Sequence, residues 1–184
     1  DANWNPVSAT DTVALSTSDT NAVPPAPAAL VAGTKTFALI LKTAGSTTVT
    51  GTDQTNGAMT ANTSPATTVN GGAFAKLQIL LPGETAAPGT ATGKTGAPSA
   101  QTAGSSFNVT VNAVDANWNP VSSTDTVGIT SSDVNAALPG NAALVTGTKV
   151  FAVTAKTAGT ATVTSTDITN GAMTANTTPA TTIN

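Results

Sequence analysis

The clearest hydrophobic pattern lies in residues 106–114, where every second side chain from Phe107 onward is apolar. Such alternation is typical of a β-strand with one buried face, because successive side chains of a strand point to opposite faces. Residues 75–81 form a nearly continuous apolar run that a Pro-Gly pair ends, and they predict another strand. Between the two, residues 84–104 are rich in Thr, Ala, Gly and Pro and predict a long irregular connection.

Further strands are predicted at residues 126–130, 150–155 and 160–164. The last two flank the turn-forming stretch Lys156–Gly159, so they predict a hairpin, and a final strand is expected within residues 172–183. No window shows the periodicity of a helix. An all-β chain with about seven short strands per domain and turns every 8–12 residues or so is the pattern of an immunoglobulin-like β-sandwich.

The core of this sandwich is expected to come from the apolar side chains of these strands. The expected core residues are Leu77, Ile79, Phe107, Val109, Val111, Val127, Ile129, Leu144, Phe151, Val153 and Val163. Aromatic residues are only 3% of the chain, so each ring carries a large share of the burial energy. We therefore expect Trp4 and Trp118 to cover the end of a sandwich or a seam between domains, with an exposed contact site as the alternative.

The chain contains an internal repeat, and this is its most informative feature. The octapeptide that begins at Asp1 recurs at Asp115, and the offset of 114 residues then holds to the end of the chain without a gap. Residues 1–70 therefore align with residues 115–184, and about 49 of the 70 positions are identical. Two copies of one folding unit are expected, of which the second is the more complete.

The alignment predicts how the chain is divided. Residues 71–184 are expected to form one complete repeat, and residues 1–70 the C-terminal part of a preceding repeat that lacks the equivalent of Gly71–Val114. Further repeats are expected on either side in a longer polypeptide. The open edge of residues 1–70 would be closed by the preceding repeat, or by a strand from a neighbouring molecule. The covalent array is favoured, because Gly71 follows Asn70 without a break in the pattern.

Composition narrows the possible functions. Only 8% of residues are charged, the net charge is −3, and all six basic residues are Lys. Nucleic-acid binding needs a basic footprint, so no nucleic-acid partner is expected. Cysteine and histidine are absent, which removes disulfides, thiolate chemistry and the usual general base. No apolar run approaches the roughly 18 residues of a membrane span, so no membrane contact by this segment is expected.

Four motifs, at Leu77–Gly83, Thr102–Val111, Asp115–Val121 and Lys156–Thr164, occur in a recognisable order. Together they resemble bacterial immunoglobulin-like tandem-repeat domains, the invasin-like group, of large surface or secreted proteins. The resemblance covers the whole chain and rests on turn and strand residues. It implies immunoglobulin-like sandwiches in tandem and a location outside the cell, at its surface or secreted.

One segment has the spacing of a calcium loop. Asp115, Asn117 and Asn119 present oxygen ligands at alternate positions, as calcium loops do. The sixth position is Pro rather than Gly and the closing Glu is missing, so a structural turn in which these side chains bond their own backbone is favoured. Under the calcium hypothesis the site would recruit Asp125, Asp133 or Asp167.

Other candidate chemistry has a simpler interpretation. The segment Gly89–Thr95 resembles a phosphate-binding loop, but it has one residue too few between its glycines and is predicted to be a flexible connection. The acidic residues of the repeat show no nucleophile–base pattern and are interpreted as solvated loop carboxylates. These residues are Glu84, Asp115, Asp125, Asp133 and Asp167. Lys149 and Lys156 are expected at the surface, with a Lys–Asn cross-link as the alternative.

We therefore predict a structural protein, without enzymatic activity or a cofactor. It would serve as a stalk, spacer or filament-forming repeat of a large bacterial extracellular protein, with neighbouring repeats of the same chain, or other copies in a fibre, as partners. The alternative is an adhesion module that binds a glycan or a host protein through its end loops. A glycan-binding accessory domain of an enzyme is a third interpretation. Near-identical neighbours favour the spacer, because a binder needs only some repeats to keep a site.

Overall fold

The computed structural model describes residues 3–184, which form short β-strands joined by turns. The chain divides into two compact units, Asp1–Asn70 and Gly71–Asn184, called here the first and the second unit. The part of the chain that the structure describes contains no helix, and hence none that is long and apolar enough to span a membrane.

Both units are built from strands of two to nine residues. The strands of the first unit are β1 (Thr12–Thr17), β2 (Ala28–Ala29), β3 (Gly45–Thr47), β4 (Val49–Asp53), β5 (Asn62–Thr63) and β6 (Thr67–Val69). The strands of the second unit are β7 (Lys76–Leu80), β8 (Glu84–Ala86), β9 (Lys94–Gly96), β10 (Ser106–Val114), β11 (Thr126–Ser131), β12 (Ala142–Ala143), β13 (Thr148–Thr154), β14 (Gly159–Ala161), β15 (Val163–Asp167), β16 (Asn176–Thr177) and β17 (Thr181–Ile183).

One sheet of the second unit has β10 at its centre, between β13 and β7. β10 pairs antiparallel with β13 from Ser106 to Asn112, and its C-terminal half also pairs antiparallel with β7. The alternation in sequence matches the pleat of the strand. Phe107, Val109 and Val111 are accordingly buried on one face.

The other large sheet has the order β12-β11-β15-β16, and two small pairs, β14-β17 and β8-β9, complete the second unit. The apolar faces of the two large sheets meet in a single core. All of the core residues expected from the sequence belong to it, together with Leu81, Ala113, Ala155, Ala161 and Ile183. Antiparallel sheets packed around one core make an immunoglobulin-like β-sandwich, so the predicted fold class is confirmed.

The predicted hairpin between residues 150–155 and 160–164 is wrong. The first stretch lies in β13 and pairs with β10, whereas the second is divided between β14, which pairs with β17, and β15, which pairs with β11. The reason lies in the turn between them. The carboxylate of Asp133 accepts hydrogen bonds from the backbone N–H groups of Lys156 and Thr157. These bonds hold the turn in which the chain passes from one sheet to the other.

Two other regions differ from expectation in detail. The connection 84–104 contains the small hairpin β8-β9, whose strands have too few apolar residues to stand out. The single strand expected within 172–183 is two strands, β16 and β17, in different sheets. The strands predicted at 75–81 and 126–130 correspond to β7 and β11.

The first unit contains one of the two large sheets. Its strand order β2-β1-β4-β5 repeats the order β12-β11-β15-β16, and β3-β6 repeats β14-β17, each at the offset of 114 residues. Residues 34–40 correspond to β13 but form no strand. Their only bridges within the described residues are Val31↔Thr34 and Val23↔Ile40. The sheet formed in the second unit by β7, β10 and β13 thus has no counterpart here.

Candidate functional site

The strongest candidate in the sequence, the segment Asp115–Asn119, is a tight turn that directly follows β10. The Asp115 side chain is only 4% exposed, and each carboxylate oxygen accepts two hydrogen bonds. Oδ1 accepts from the backbone N–H groups of Asn117 and Asn119, at 2.8 and 2.9 Å. Oδ2 accepts from the backbone N–H of Gly72 at 2.7 Å and from Nδ2 of Asn119 at 2.9 Å. The carboxylate therefore ties the turn to the start of the unit.

These hydrogen bonds also fix the charge of the turn. Burial by itself raises the pKa of Asp115, but the donors on Asn119, Gly72 and Asn117 outweigh it, so the pKa lies below its ordinary value. Donors of the chain itself thus occupy the acceptor positions of the Asp115 carboxylate. A cation bound to it would have to displace these donors.

The structure places the three predicted calcium ligands in one turn, with the geometry of an Asx turn. The acids proposed to join them, Asp125, Asp133 and Asp167, each belong to a different turn or strand end. Within residues 3–184, no three acidic, histidine or cysteine side chains are grouped so that they could hold a metal ion. The calcium hypothesis remains a prediction, and the observed hydrogen bonds favour the structural interpretation.

Trp118 covers the same turn. Its backbone φ is +68°, its Nε1 donates to the carbonyl of Ala91 at 3.3 Å, and Nζ of Lys76 lies 3.5 Å from the ring centroid. Burial lowers the pKa of Lys76, and the charge of Asp115 partly opposes this effect. A Cβ placed on Gly93 would lie 2.2 Å from the ring, so only glycine leaves room for it. The ring of Trp118 packs on its own unit, as the favoured interpretation expected. For Trp4 this expectation is wrong, because Trp4 is 82% exposed.

A second carboxylate, Asp133, ties another turn in the same manner. Its Oδ2 accepts from the backbone N–H groups of Lys156 and Thr157, at 2.7 and 3.0 Å. Its Oδ1 accepts from the N–H of Asn135 and from Oγ1 of Thr157. These donors, the Lys156 N–H foremost, lower the pKa of Asp133 to about 2. The hydrogen bonds from Lys156 and Thr157 join residues more than 20 positions apart in sequence.

The corresponding turn of the first unit, at Asp19, has the same set of hydrogen bonds. Oδ2 of Asp19 accepts from the N–H groups of Lys42 and Thr43, at 2.7 and 3.0 Å. Oδ1 accepts from the N–H of Asn21 and from Oγ1 of Thr43. Burial opposes ionisation of Asp19, but these donors prevail and lower its pKa. The motif forms without the sheet that the first unit lacks.

A third pair of carboxylates lies at the ends of β4 and β15. Oδ1 of Asp53 accepts from the backbone N–H groups of the second and third residues that follow it, and Oδ1 of Asp167 does the same. The charge of Asp53 raises the pKa of the neighbouring Asp11. The counterpart of Asp11 is Asp125, which precedes β11. Among the described residues, Oδ2 of Asp167 is buried and has no hydrogen-bond partner.

The segment that resembles a phosphate-binding loop connects β8 to β9. Its Gly89 N–H donates to the carbonyl of Asn117 at 2.8 Å, and the N–H of Gly93 donates to Oγ1 of Thr90. The segment leads into a strand rather than a helix. It therefore lacks the helix N-terminus that holds phosphate in such loops. Of the two lysines considered for a cross-link, Lys149 is half-buried in β13 and Lys156 is exposed.

The sequence did not reveal two buried polar contacts. Lys94 and Glu84 form an ion pair of 2.8 Å in which the Glu84 side chain is almost fully buried. Gln78 donates to the carbonyl of Gly93 at 2.7 Å and accepts from Nδ2 of Asn112 at 2.9 Å. The only sign of the second contact in the sequence is Gln78, a polar residue inside the apolar run of β7. Its partner Asn112 becomes evident only from the register of β7 on β10.

No protein-family model and no curated protein matches the chain. Solved structures that match include a β-glycosidase from Bacteroides vulgatus, with 12% identity, a TM-score of 0.47, and coverage of 94% of this chain and 21% of that one. The D0-D1 domain of intimin has 16% identity and a TM-score of 0.39, with coverage of 97% and 84%. Domains 4 and 5 of the S-layer protein SbsC have 14% identity and a TM-score of 0.36, with coverage of 98% and 74%. The chain thus spans about a fifth of the length of the first of these structures.

Proposed function

We propose that this chain is a structural module of a bacterial extracellular surface protein and serves as a stalk, spacer or filament-forming repeat. Its partners are neighbouring repeats of the same polypeptide, or other copies in a fibre. The observation that carries the proposal is the recurrence of carboxylate turns that bind the chain to itself. Asp19 and Asp133 make the same four hydrogen bonds, 114 residues apart. Polar groups used in this way join strands, and the proposal includes no catalysed reaction.

The two ends of the second unit are attached in a way that suits a load-bearing element. At the start, the N–H of Gly72 donates to the carboxylate of Asp115. At the end, Asn184 accepts from the N–H of Ala103 and donates to the carbonyl of Gln101, both at 2.8 Å. The last strand runs parallel to the residues around Gln101. A pull on the C-terminus therefore loads several of these hydrogen bonds together rather than one after another.

Stretching a polymer of the second unit tests the proposal. Repeats joined end to end should unfold one at a time, each adding about 38–41 nm of chain less the folded span, since an extended residue spans roughly 3.3–3.6 Å. Asp115→Ala removes the attachment of Gly72 and should lower the unfolding force while the step length stays the same. Extension of the polymer without steps, at the force of an unfolded chain, would contradict a mechanical role.

A second candidate function, glycan binding, is favoured by a cleft in the first unit. The cleft is open, has a volume of about 200 Å³, and is lined by Ser18–Asn21 and Thr43–Thr47. Its hydroxyl and amide groups are of the type that bind sugars. The second unit has Val134 and Ala161 at the positions of Thr20 and Thr47, so the two turns differ in polarity.

That difference supplies a matched control. If the cleft binds a glycan, the full chain should bind components of a glycan array, and the variant Thr20→Val, at an exposed position, should lose this binding without a change in stability. Equal binding by the chain and the variant would remove the cleft as the site.

A further inference from the structure

The first unit exposes a face that the second unit buries. Phe151 and Val153 of β13 are 3% and 1% exposed, whereas their counterparts Phe37 and Leu39 are partly exposed. The face continues across the sheet of the first unit, where the apolar residues of β1 and β4 are only half-buried.

The second unit shows what covers this face. Strands β7 and β10 both lie within Gly71–Val114. They place Leu77, Val109 and Val111 in the same core as the β13 residues Phe151 and Val153. β10 also supplies the backbone partner of β13 from Thr148 to Thr154. The first unit retains residues 34–40 as the equivalent edge, without a strand to pair with it.

Trp4 lacks the same covering segment. In the second unit the ring of Trp118 is covered by Lys76, Gly93 and the carbonyl of Ala91, all of which belong to Gly71–Val114. Trp4 has the same left-handed backbone, with φ of +64°, but its side chain is 82% exposed. The first unit thus exposes an apolar face, a strand edge and an aromatic ring, because it has no segment equivalent to Gly71–Val114.

A second copy of this chain cannot supply the covering segment without exposing one of its own faces. Each chain of 184 residues contains one covering segment, residues 71–114, and two faces to be covered, on residues 1–70 and 115–184. Any exchange between copies leaves one face open per chain, so it buries no additional apolar surface. A segment that covers the open face without exposing another one therefore has to come from outside these 184 residues.

We infer that the open face of the first unit binds a segment of the Gly71–Val114 type that lies directly ahead of Asp1 in a longer polypeptide. In the second unit the covering segment passes straight into Asp115, the counterpart of Asp1. A segment attached at this point has a high effective concentration at the face. The inference rests on the proposed function, because it places the chain among repeats of one polypeptide.

The test compares three proteins by hydrogen exchange: the chain alone, the chain preceded by a 44-residue copy of residues 71–114, and a control. In the control, the added copy carries Phe107→Ser, Val109→Ser and Val111→Ser. The intact extension should slow exchange of the amides of residues 34–40 at least about tenfold. With Trp118→Phe in each protein, it should also shift the emission of Trp4 to shorter wavelength. The control should leave both signals as they are in the chain alone.

Unchanged exchange and emission with the intact extension would overturn the inference. So would protection of residues 34–40 in the chain alone that grows over a hundredfold range of concentration, because a second copy would then be the occupant. The second unit is identical in all three proteins. If the exchange and emission test fails, the unfolding of the second unit under force is unaffected. Failure of this inference can therefore be distinguished from failure of the proposed function.

Discussion

The two units have nearly the same sequence over 70 residues but different degrees of burial. Their turns and sheet register agree, since Val13 pairs with Asp53 just as Val127 pairs with Asp167. Their cores do not agree: Phe151 is buried, whereas Phe37 is only partly buried. The turns and one sheet are therefore encoded within these 70 residues. The strand at 148–154 and the dry core require the covering segment.

The largest effect is expected on separating the units. Residues 71–184 alone should unfold cooperatively, because both large sheets and the core lie within them. Residues 1–70 alone should show no cooperative transition, because the second sheet is missing. Calorimetry of the two fragments checks this. A soluble 1–70 fragment with a sharp melting transition would overturn the division into one complete and one incomplete repeat.

A matched pair of substitutions sharpens the comparison. Phe151→Ala should lower the free energy of unfolding by about 3–5 kcal/mol, as loss of a buried aromatic ring does. Phe37→Ala should lower it by less, about 1 kcal/mol, because that ring is only partly buried. Urea denaturation of the full chain measures both. Equal effects would mean that the two faces are equally buried.

The Trp118 cover offers a smaller effect. Gly93→Ala should destabilise the second unit by about 1–3 kcal/mol, because Gly93 has φ of +74° and the added Cβ would collide with the ring. In a Trp4→Phe background the emission of Trp118 should shift to longer wavelength. Gly171→Ala is the control, since its Cβ would meet nothing within 4 Å. If both variants behave alike, Gly93 has no role in seating the ring.

Acid should weaken the turns. The pKa of Asp133 is lowered from 3.8 to about 2 in the folded chain, so its stabilising contribution is complete above pH 3.8 and is lost as the pH falls toward 2. Asp133→Asn should lower the melting temperature at pH 6 and make it less dependent on pH between 4 and 2. Melting curves across this range provide the measurement. A variant with the parent's pH dependence would show that other groups are responsible.

No effect is expected from removing metal ions. The Asp115 carboxylate accepts four hydrogen bonds from the chain, so EDTA should leave the melting temperature of the full chain unchanged. A fall of several degrees that added calcium reverses would instead identify the Asp115 turn as a cation site.

The sequence was sufficient for the parts of the fold that depend on local pattern. Alternation from Phe107 onward located β10, and every expected core residue is buried. It was insufficient where neighbouring residues belong to different sheets, as Ala161 and Val163 do, because both sheets favour the same Thr and Val residues. The Trp118 cover depends on Gly93, 25 positions away, and such a contact leaves no trace in periodicity.

The order of synthesis gives the single covering segment a further consequence. Residues 1–70 leave the ribosome first and residues 71–114 next, so this segment meets the earlier face before its proper one, at 115–184, has been made. Because the two faces share most of their side chains, we expect the early encounter to be favourable and to delay folding until it is undone. A repeat that is already closed by its own upstream segment removes this competition. Each finished repeat in an array would thus protect the folding of the next one.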